Sequence, residues 1–466
     1  MGDNLHDLLI DRFPADRELP CFLLENGDRV SYARLLALVG QLAGLLVARG
    51  AVPGDRIVVQ SAKSVEMVAL YLATLRIGAI FVPLNTAYTS TEMEYFLSDA
   101  EPRLFVDDAV ALARDAETVP PVAVSTPVRK DEVAAIVYTS GTTGRSKGAM
   151  LTHGNLAANA LALHTAWGFG PDDVLLHALP IFHVHGLFVA LHCALLSGGS
   201  LLWHSKFDDE SVVRALPHAT VMMGVPTFYT RLLANPGFTR EVAAHVRLFI
   251  SGSAPLLEST FDEFETRTGK RILERYGMSE AAIITTNPLD GERVAGSVGF
   301  PLPGVDLRIA GGGTGVVEIK GPSVFCGYWR NPEKTAEEFT ADGYFITGDV
   351  GRIDEAGRLW ISGRAKDLII SGGYNVYPKE IEMLLDEMDG VIESAVIGVP
   401  HPDFGEAVIA IATGAGDPDV VIAAAKARLA PFKTPKRLFF VDELPRNAMG
   451  KVQKNILRQR YEDCLT

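Results

Sequence analysis

The sequence has few cysteines, and their spacing gives them no shared role. Its 466 residues include four cysteines, Cys21, Cys193, Cys326 and Cys464, and no two of them form a CxxC pair. Cysteines scattered in this way predict neither a disulfide framework nor a zinc site. Because free thiols persist in reducing compartments, the composition predicts a cytoplasmic protein.

An excess of positive charge is also missing. The 43 Lys and Arg residues are outnumbered by 57 Asp and Glu residues, which gives a formal net charge of −14. A chain this acidic is poorly suited to nucleic acid or to an anionic membrane surface. We therefore expect small-molecule partners, and any anionic ligand must be held by local positive groups.

Long hydrophobic runs are absent as well. The most apolar region, residues 175–203, is interrupted by several histidines and by Gly198 and Gly199. This pattern predicts no transmembrane helix. Acidic residues stand near the N-terminus where a signal peptide needs basic ones, so we expect neither secretion nor membrane insertion.

A stretch rich in glycine and hydroxyl residues organises the chain. Residues 138–148 read Tyr-Thr-Ser-Gly-Thr-Thr-Gly-Arg-Ser-Lys-Gly, after the apolar residues 133–137 and before the helix-favouring residues 155–163. The pattern predicts a loop between a strand and a helix, with backbone N–H groups, hydroxyls and Lys147 available to phosphate oxygens. Taken alone, the stretch could equally be a solvated turn.

The rest of the chain predicts an α/β fold. Helical patterns such as residues 32–49 alternate with short apolar strands such as residues 56–59, which is typical of parallel-sheet units. Residues 107–130 read as a poorly ordered surface connection. Residues 246–255 and 272–280 repeat the strand-then-turn design, and such turns meet in one crevice of a parallel sheet.

Beyond Gly296 the sequence pattern changes to short, glycine-rich strand segments, which predict a small antiparallel subdomain. A helix, two strands, a helix and a strand then follow, a size and order typical of a small α+β domain. We predict a large N-terminal domain over residues 1–365 and a small C-terminal domain over residues 366–466.

Two histidines with a spacing of two, His183 and His185, suggest a metal pair at first sight. No carboxylate or other ligand lies near them in the sequence. The favoured interpretation is that both histidines are buried in the core or line a pocket.

Taken together, five separated motifs resemble the adenylate-forming superfamily of acyl-CoA synthetases, luciferases and peptide-synthetase adenylation domains. They occur in the family's order at residues 138–148, 276–280, 344–349, 363–367 and 445–451. The resemblance covers nearly the whole chain. It implies that a carboxylate attacks the α-phosphate of ATP to give an acyl-adenylate and pyrophosphate, after which the thiol of coenzyme A displaces AMP.

The resemblance also implies roles for individual residues. It assigns the binding of ATP to Thr139, Ser140, Gly141, Thr142, Thr143, Gly144, Lys147, Gly252, Ser253, Ala254, Tyr276, Gly277, Asp349 and Arg364. Among these, Tyr276 would stack on adenine and Asp349 would accept the ribose hydroxyls. Glu280 would hold Mg²⁺ and Ser279 would contact the α-phosphate.

The remaining motif residues concern catalysis and the second half-reaction. By resemblance, Lys451 bridges the attacking carboxylate and the α-phosphate, a task that suits a compact ammonium group. Lys366 would be the hinge at which the small domain turns after adenylation, and Gly372 and Gly373 would then line the pantetheine channel. From the sequence alone, Lys366 could equally be an ordinary linker residue.

The acyl pocket is expected to contain His183, Val184 and Met278. Arg275 stands where many relatives have Gly or Ala, and a charged side chain on a pocket wall is costly unless an anion pairs with it. The sequence around these residues looks like that of malonyl-CoA synthetases, which implies malonate and methylmalonate as substrates. Arg293 is a second candidate for the distal carboxylate. Alternatively, Arg275 turns outward and pairs with an acid of the protein.

Other functions remain open at this level. The main alternative is a short- or medium-chain acyl-CoA synthetase, which would leave Arg275 without a partner. An adenylation domain that loads a carrier protein and a non-catalytic adenylate-binding protein are further alternatives. Residues 281–284 are more apolar than we expect in malonyl-CoA synthetases. A monomer and a homodimer are both compatible with the sequence.

Overall fold

The computed structural model describes residues 3–139, 146–372, 374–446 and 452–465. The described chain contains the following strands, in order: β1 (Pro20–Leu24), β2 (Arg29–Ser31), β3 (Arg56–Val59), β4 (Ile80–Pro83), β5 (Leu104–Val106), β6 (Val133–Thr139), β7 (Lys147–Thr152), β8 (Val174–His177), β9 (Ser200–Trp203), β10 (Val221–Gly224), β11 (Leu248–Ser251), β12 (Leu273–Met278), β13 (Ala282–Thr286), β14 (Ser297–Pro301), β15 (Asp306–Ile309), β16 (Thr314–Lys320), β17 (Gly327–Tyr328), β18 (Phe345–Ile353), β19 (Leu359–Arg364), β20 (Ile369–Ser371), β21 (Tyr374–Val376), β22 (Val391–His401), β23 (Gly405–Gly414) and β24 (Arg437–Val441).

The helices of the same residues are α1 (Leu5–Ile10), α2 (Tyr32–Ala48), α3 (Val65–Arg76), α4 (Ser90–Ala100), α5 (Ala109–Ala116), α6 (His153–Ala166), α7 (Leu191–Ser197), α8 (Asp209–Ala215), α9 (Pro226–Ala234), α10 (Arg240–Ala243), α11 (Glu258–Thr268), α12 (Pro332–Glu337), α13 (Pro378–Asp386), α14 (Pro418–Arg428) and α15 (Lys454–Arg460). A π-helix spans His185–Ala190, and short 3₁₀ turns span Leu216–His218 and Ala365–Asp367. Searched over the described residues, none of these helices has the length and apolar character needed to cross a bilayer.

The chain divides into two compact units. The first comprises Met1–Leu307 with Ile319–Phe345, and the second comprises Arg308–Glu318 with Ile346–Thr466. The domain boundary at residues 365 and 366 stays a prediction.

The first unit contains two sheets, and parallel pairing dominates both. In one, the strand order is β14-β13-β12-β11-β10-β8-β9-β1-β2, and the strands from β12 to β1 are parallel. In the other, the order is β17-β7-β6-β4-β3-β5, with β6, β4, β3 and β5 parallel. All four residues of β10 are buried, as expected where helices cover both faces of a parallel sheet. The predicted α/β class is confirmed.

Helix α2 illustrates how the sequence produces these units. Its N-cap Ser31 accepts a hydrogen bond from the Arg34 N–H group, and its buried residues include Leu35, Leu38 and Leu42. Apolar residues three and four apart form one face of a helix, and a serine at the N-cap satisfies an otherwise free N–H group.

Two predictions about local structure are wrong. Tyr138 and Thr139 at the end of β6 pair antiparallel with Gly148 and Lys147 at the start of β7, and helix α6 begins only at His153. The small residues of β7 conceal a strand because their burial comes from pairing with β6. Residues 107–130 include helix α5, whose Ala109, Leu112, Ala113 and Ala116 are buried, so this segment is partly ordered core.

The second unit has a sheet with one core on each face. Strands β22 and β23 form a long antiparallel hairpin, and β24 pairs parallel with β23. Val396 and Ala410 belong to one buried cluster, whereas Ile397 and Ile409 belong to the other. This alternation follows from the two-residue period of a strand. The unit also contains β19, most of β16 and β18 and the second half of β15, and these four strands are sheet neighbours.

Candidate functional site

The carboxyl ends of parallel strands in the first unit bring several polar residues to one edge. His177 ends β8, Gly224 ends β10, and Ser251 ends β11. Ser251 is opposite Gly224 on one side and opposite Glu274 of β12 on the other. The predicted turn after β11 therefore starts at the edge where β8 and β10 also end, which is where α/β sheets bind ligands.

Arg275 is buried at this edge. Only 4% of the Arg275 surface is exposed. A Cβ atom at Gly252 would lie 2.5 Å from the Arg275 guanidinium carbon. Glycine at position 252 therefore leaves room for the Arg275 side chain, which a larger residue would displace. Burial lowers the pKa of Arg275 to about 9, so the guanidinium still carries its charge at neutral pH.

No carboxylate of the described residues neutralises this charge. Across the described ranges, Arg275 forms no ion pair, and its Nε atom is buried without a hydrogen-bond partner. The preceding Glu274 takes a different partner, since its Oε1 atom accepts a hydrogen bond of 3.0 Å from the Gly296 N–H group. Adjacent strand residues point to opposite faces. Arg275 therefore does not turn outward to pair with an acid.

Ser253 and His185 complete a polar group around Arg275. The Arg275 Nη2 atom lies 3.4 Å from the Ser253 Oγ atom, which in turn lies 3.3 Å from the His185 Nδ1 atom. Ser253 has a φ of +72°, a strained conformation that is common at functional sites. The His185 Nε2 and Ser251 Oγ atoms are buried and, within the described chain, have no hydrogen-bond partner.

Burial also decides the charge of His185. It lowers the pKa of this imidazole well below its usual value, and the positive charge of Arg275 adds to the effect. A neutral imidazole has one N–H donor and one acceptor. In the tautomer with the proton on Nε2, Nδ1 accepts from the Ser253 hydroxyl and Nε2 can donate to an anion.

Other predicted pocket residues lie near this group in the chain. The His183 Nδ1 atom accepts a 3.4 Å hydrogen bond from the His185 N–H group, and Val184 is buried. Met278 is half-buried in β12. Among the residues that the structure describes, no three His, Cys, Asp or Glu side chains form a group that could hold a metal ion.

Arg293 is engaged elsewhere. Its guanidinium donates to the backbone carbonyls of Pro288, Arg271 and Leu289 at 3.1, 2.6 and 2.7 Å. These contacts favour a structural role. Its role as a ligand of the distal carboxylate stays a prediction, and Arg275 is the better candidate.

Tyr276 and Gly277 lie in the hairpin of β12 and β13, where the register shifts between them. A Cβ atom at Gly277 would lie 2.0 Å from the Ala282 carbonyl oxygen, so only glycine permits this close pairing. Ser279 and Glu280 form the turn of the hairpin. Residues 281–284 are buried, which explains why they are apolar.

Glu280 is held by a residue that the sequence did not single out. The Tyr328 hydroxyl donates a 3.0 Å hydrogen bond to the Glu280 Oε1 atom, and Glu280 is buried. The Lys147 ammonium lies 5.1 Å from the centroid of the Tyr328 ring and 3.9 Å from Glu338. Tyr328 therefore brings the end of the glycine-rich stretch close to the predicted magnesium ligand.

Several predicted site residues lie outside the described residues, namely Ser140, Gly141, Thr142, Thr143, Gly144, Gly373 and Lys451. Of the stretch around them, Thr139 ends β6 and Lys147 begins β7. Ala254 lies in the exposed turn after β11.

In the second unit, Asp349 and Arg364 are directly opposite each other on β18 and β19. The Arg364 Nε atom lies 2.7 Å from the Asp349 Oδ1 atom, and Asp349 is buried. Lys366 is exposed in the 3₁₀ turn of residues 365–367, and Gly372, with a φ of +58°, follows β20. The pairing places Arg364 beside Asp349, as the motifs predict.

Two segments of the chain match known protein families. Residues 10–329 match the AMP-binding enzyme family, and residues 380–451 match the AMP-binding enzyme C-terminal domain. The chain belongs to the AMP-binding enzymes. Solved structures of similar proteins superpose on this chain along its whole length.

Similar proteins include an ATP-bound structure, a malonate–CoA ligase and a feruloyl-CoA synthase. The ATP-bound structure of MatB from Rhodopseudomonas palustris is 49% identical, covers 100% of both chains and has a TM-score of 0.96. A malonate–CoA ligase of Arabidopsis thaliana is 36% identical over 89% of this chain and 79% of its own length. A feruloyl-CoA synthase of an Amycolatopsis species is 35% identical over 94% of this chain and 95% of its own.

Tyr328 carries a first testable prediction. Phenylalanine at position 328 keeps the ring but removes the hydrogen bond to the Glu280 carboxylate. Residues that hydrogen-bond to a metal ligand typically contribute 10- to 100-fold to metal affinity. We therefore expect the Mg²⁺ concentration for half-maximal pyrophosphate release to rise about tenfold. The measurement is a Mg²⁺ titration at saturating substrates.

The matched control for this variant is Tyr344→Phe, which removes a hydroxyl that donates to Asp306. This control should leave the Mg²⁺ requirement unchanged. An unchanged requirement in Tyr328→Phe would mean that Tyr328 does not orient the magnesium ligand.

Proposed function

We propose that this AMP-binding enzyme is an ATP-dependent malonyl-CoA synthetase. It converts malonate, ATP and coenzyme A into malonyl-CoA, AMP and pyrophosphate through malonyl-adenylate. Its similarity to MatB and to the malonate–CoA ligase of Arabidopsis thaliana supports this substrate. ATP and coenzyme A are its cosubstrates, and methylmalonate is a further acid that it accepts.

The observation that carries the proposal is the buried Arg275 guanidinium without a carboxylate of its own. A buried charge is costly unless it is paired, and malonate brings a second carboxylate that is not consumed in the reaction. That carboxylate would accept hydrogen bonds from Arg275 Nε, the neutral His185 Nε2–H group and the Ser251 hydroxyl, all of which are buried. The other carboxylate is then free to attack ATP.

The residues for ATP follow the motifs. Lys147 and the hydroxyls around it bind the β- and γ-phosphates, the Tyr276 ring stacks on adenine, and Asp349 accepts the ribose hydroxyls with Arg364 beside it. Backbone N–H groups and cations placed before the reaction stabilise the negative charge that develops as the α-phosphate is attacked.

Magnesium fits the donor set around Glu280. This buried carboxylate, oriented by Tyr328, offers the hard oxygen ligand that Mg²⁺ prefers, and Mg²⁺ usually binds through one or two carboxylates together with phosphates and water. When bound, the ion neutralises phosphate charge. Ser279, next to Glu280, contacts the α-phosphate.

The second half-reaction uses the C-terminal domain. Lys451 serves adenylation, whereas Lys366 is the hinge, and Gly372 and Gly373 line the path of the thiol. In this proposal the boundary of the mobile domain is at residues 365 and 366. The oligomeric state and the cytoplasmic location stay predictions.

A short- or medium-chain acid, or an aromatic acid like that of the feruloyl-CoA synthase, is the competing substrate class. Such an acid has a single carboxylate, and after adenylation nothing in it neutralises Arg275. A site built for a polar group strongly rejects an analogue that lacks the group, because its own polar atoms then stay unpaired.

The test is the rate of pyrophosphate release and of thioester formation with malonate, methylmalonate, acetate and hexanoate. We expect kcat/KM for malonate to exceed that for acetate by about a hundredfold or more. Preference for hexanoate would overturn the malonate assignment while leaving the AMP-forming chemistry intact. Omission of coenzyme A separates adenylation from thioester formation.

A further inference from the structure

Lys63 is a half-buried lysine outside the motifs, and its amine contacts one histidine twice. Its Nζ atom donates to the His177 carbonyl oxygen at 2.8 Å and lies 2.9 Å from the His177 Nδ1 atom. The same amine lies 4.2 Å from the centroid of the Trp203 ring. Lys63 follows β3 of one sheet, whereas His177 ends β8 of the other, so these bonds join the two sheets of the first unit.

The contacts of His177 determine its tautomer. The Nε2 atom lies 2.9 Å from the Gly186 carbonyl oxygen, and a carbonyl can only accept a hydrogen bond. The proton is therefore on Nε2, which leaves Nδ1 to accept from Lys63. Burial and the nearby Lys63 lower the pKa of His177 well below its usual value, so that the ring is neutral.

Gly186 is held from a second side as well. A Cβ atom at this position would lie 2.1 Å from the Pro180 carbonyl oxygen, so the backbone is in close contact with the preceding loop. Gly186 is the second residue of the π-helix that starts at His185. Such wide helical turns occur frequently at functional sites. The orientation of His185 thus depends on where the Gly186 peptide is fixed.

We propose that Lys63 is a positioning residue for the acyl pocket. By donating to His177, it holds the tautomer whose Nε2–H group binds the Gly186 carbonyl, and this bond fixes the turn that presents His185 beside Arg275. Lys63 itself does not contact the acid. The proposal rests on the proposed function only for the identity of that acid.

Lys63→Met tests the proposal, because methionine has similar length but no N–H donor. We expect the KM for the acid to rise about tenfold, with the KM for ATP unchanged and kcat altered less, since His185 binds the acid and not the nucleotide. The matched control is Lys206→Met, which changes an exposed lysine and should change neither KM.

Two variants of His177 show whether Lys63 acts through this ring. Gln can accept from Lys63 and donate to Gly186, so His177→Gln should keep the acid KM within about threefold of wild type, whereas His177→Leu should raise it as Lys63→Met does. The double variant Lys63→Met with His177→Leu should be no worse than His177→Leu alone. If Lys63→Met does not fold, the comparison of Gln with Leu decides the proposal.

Equal changes in the KM for the acid and for ATP, or a lower melting temperature with both KM values unchanged, would overturn the positioning role in favour of a structural one. The result is independent of the assignment to malonate. Should wild type prefer another acid, the proposed function fails, and the same KM comparison is made with the preferred acid.

Discussion

Substitution of Arg275 by methionine is expected to lower kcat/KM for malonate by roughly 30-fold to several thousandfold. The cause is the loss of a buried charged partner, which typically costs about 2–5 kcal/mol, and each 1.36 kcal/mol corresponds to a factor of ten. The same substitution removes an uncompensated positive charge from the pocket when acetate or hexanoate is bound. Use of those acids should therefore hold or improve.

The measurement is the ratio of kcat/KM for malonate to that for acetate, in wild type, Arg275→Met and Arg293→Met. We expect the ratio to fall only in Arg275→Met, because the Arg293 guanidinium is engaged by three backbone carbonyls. If the ratio falls in Arg293→Met instead, Arg293 and not Arg275 binds the distal carboxylate of malonate. A ratio unchanged in both variants would reject the dicarboxylate pocket.

Lys451→Ala is expected to lower malonyl-adenylate formation by about 10²- to 10³-fold, the usual effect of removing one donor from a developing oxyanion. Conversion of preformed malonyl-adenylate and coenzyme A into malonyl-CoA should persist, because that step does not transfer charge between carboxylate and α-phosphate. ATP–pyrophosphate exchange measures the first step, and thioester release from the adenylate measures the second.

The described residues before and after 447–451 have defined contacts. The Lys454 ammonium lies 2.6 Å from the Oε1 atom of Glu382, a buried carboxylate of α13, and Arg446 and Val452 form an antiparallel bridge.

Lys426→Ala is the control for Lys451, since Lys426 is an exposed lysine of α14. It should leave both half-reactions unchanged. If Lys451→Ala slows both half-reactions equally, the lysine supports the structure of the small domain and is not specific to adenylation.

Local patterns were sufficient to predict many elements. The apolar residues 56–59 form β3 with the bounds that the pattern indicates, and the helix expected over residues 32–49 is α2. Helix α2 has the burial pattern of an amphipathic helix, and β3 is a short run with three of its four residues buried, so both match local propensity. The pairing of β7 with β6 was not predictable in this way, because small residues such as Gly148 and Ala149 show no strand pattern until a partner strand covers them.

The candidate site likewise contains residues that sequence motifs indicate and residues that only the tertiary structure reveals. Motifs indicate Glu280 and Lys147, but the residue that links them, Tyr328, is 48 positions from Glu280 and belongs to no pattern. Similarly, Lys63 and His177 are 114 positions apart, and each is unremarkable in its own segment. Such pairs arise where two sheets meet, so only long-range packing reveals them.

The sequence by itself determined the family, the α/β class and the nucleotide chemistry, because these depend on residue types at short, ordered spacings. Tertiary structure alone decided which way Arg275 faces. Two adjacent charged residues of a strand, Glu274 and Arg275, must point to opposite sides, and nothing local says which side is the pocket. Arg275 lies buried against Gly252, where its charge lacks a carboxylate of the described chain, and this is why we propose a dicarboxylic acid as substrate.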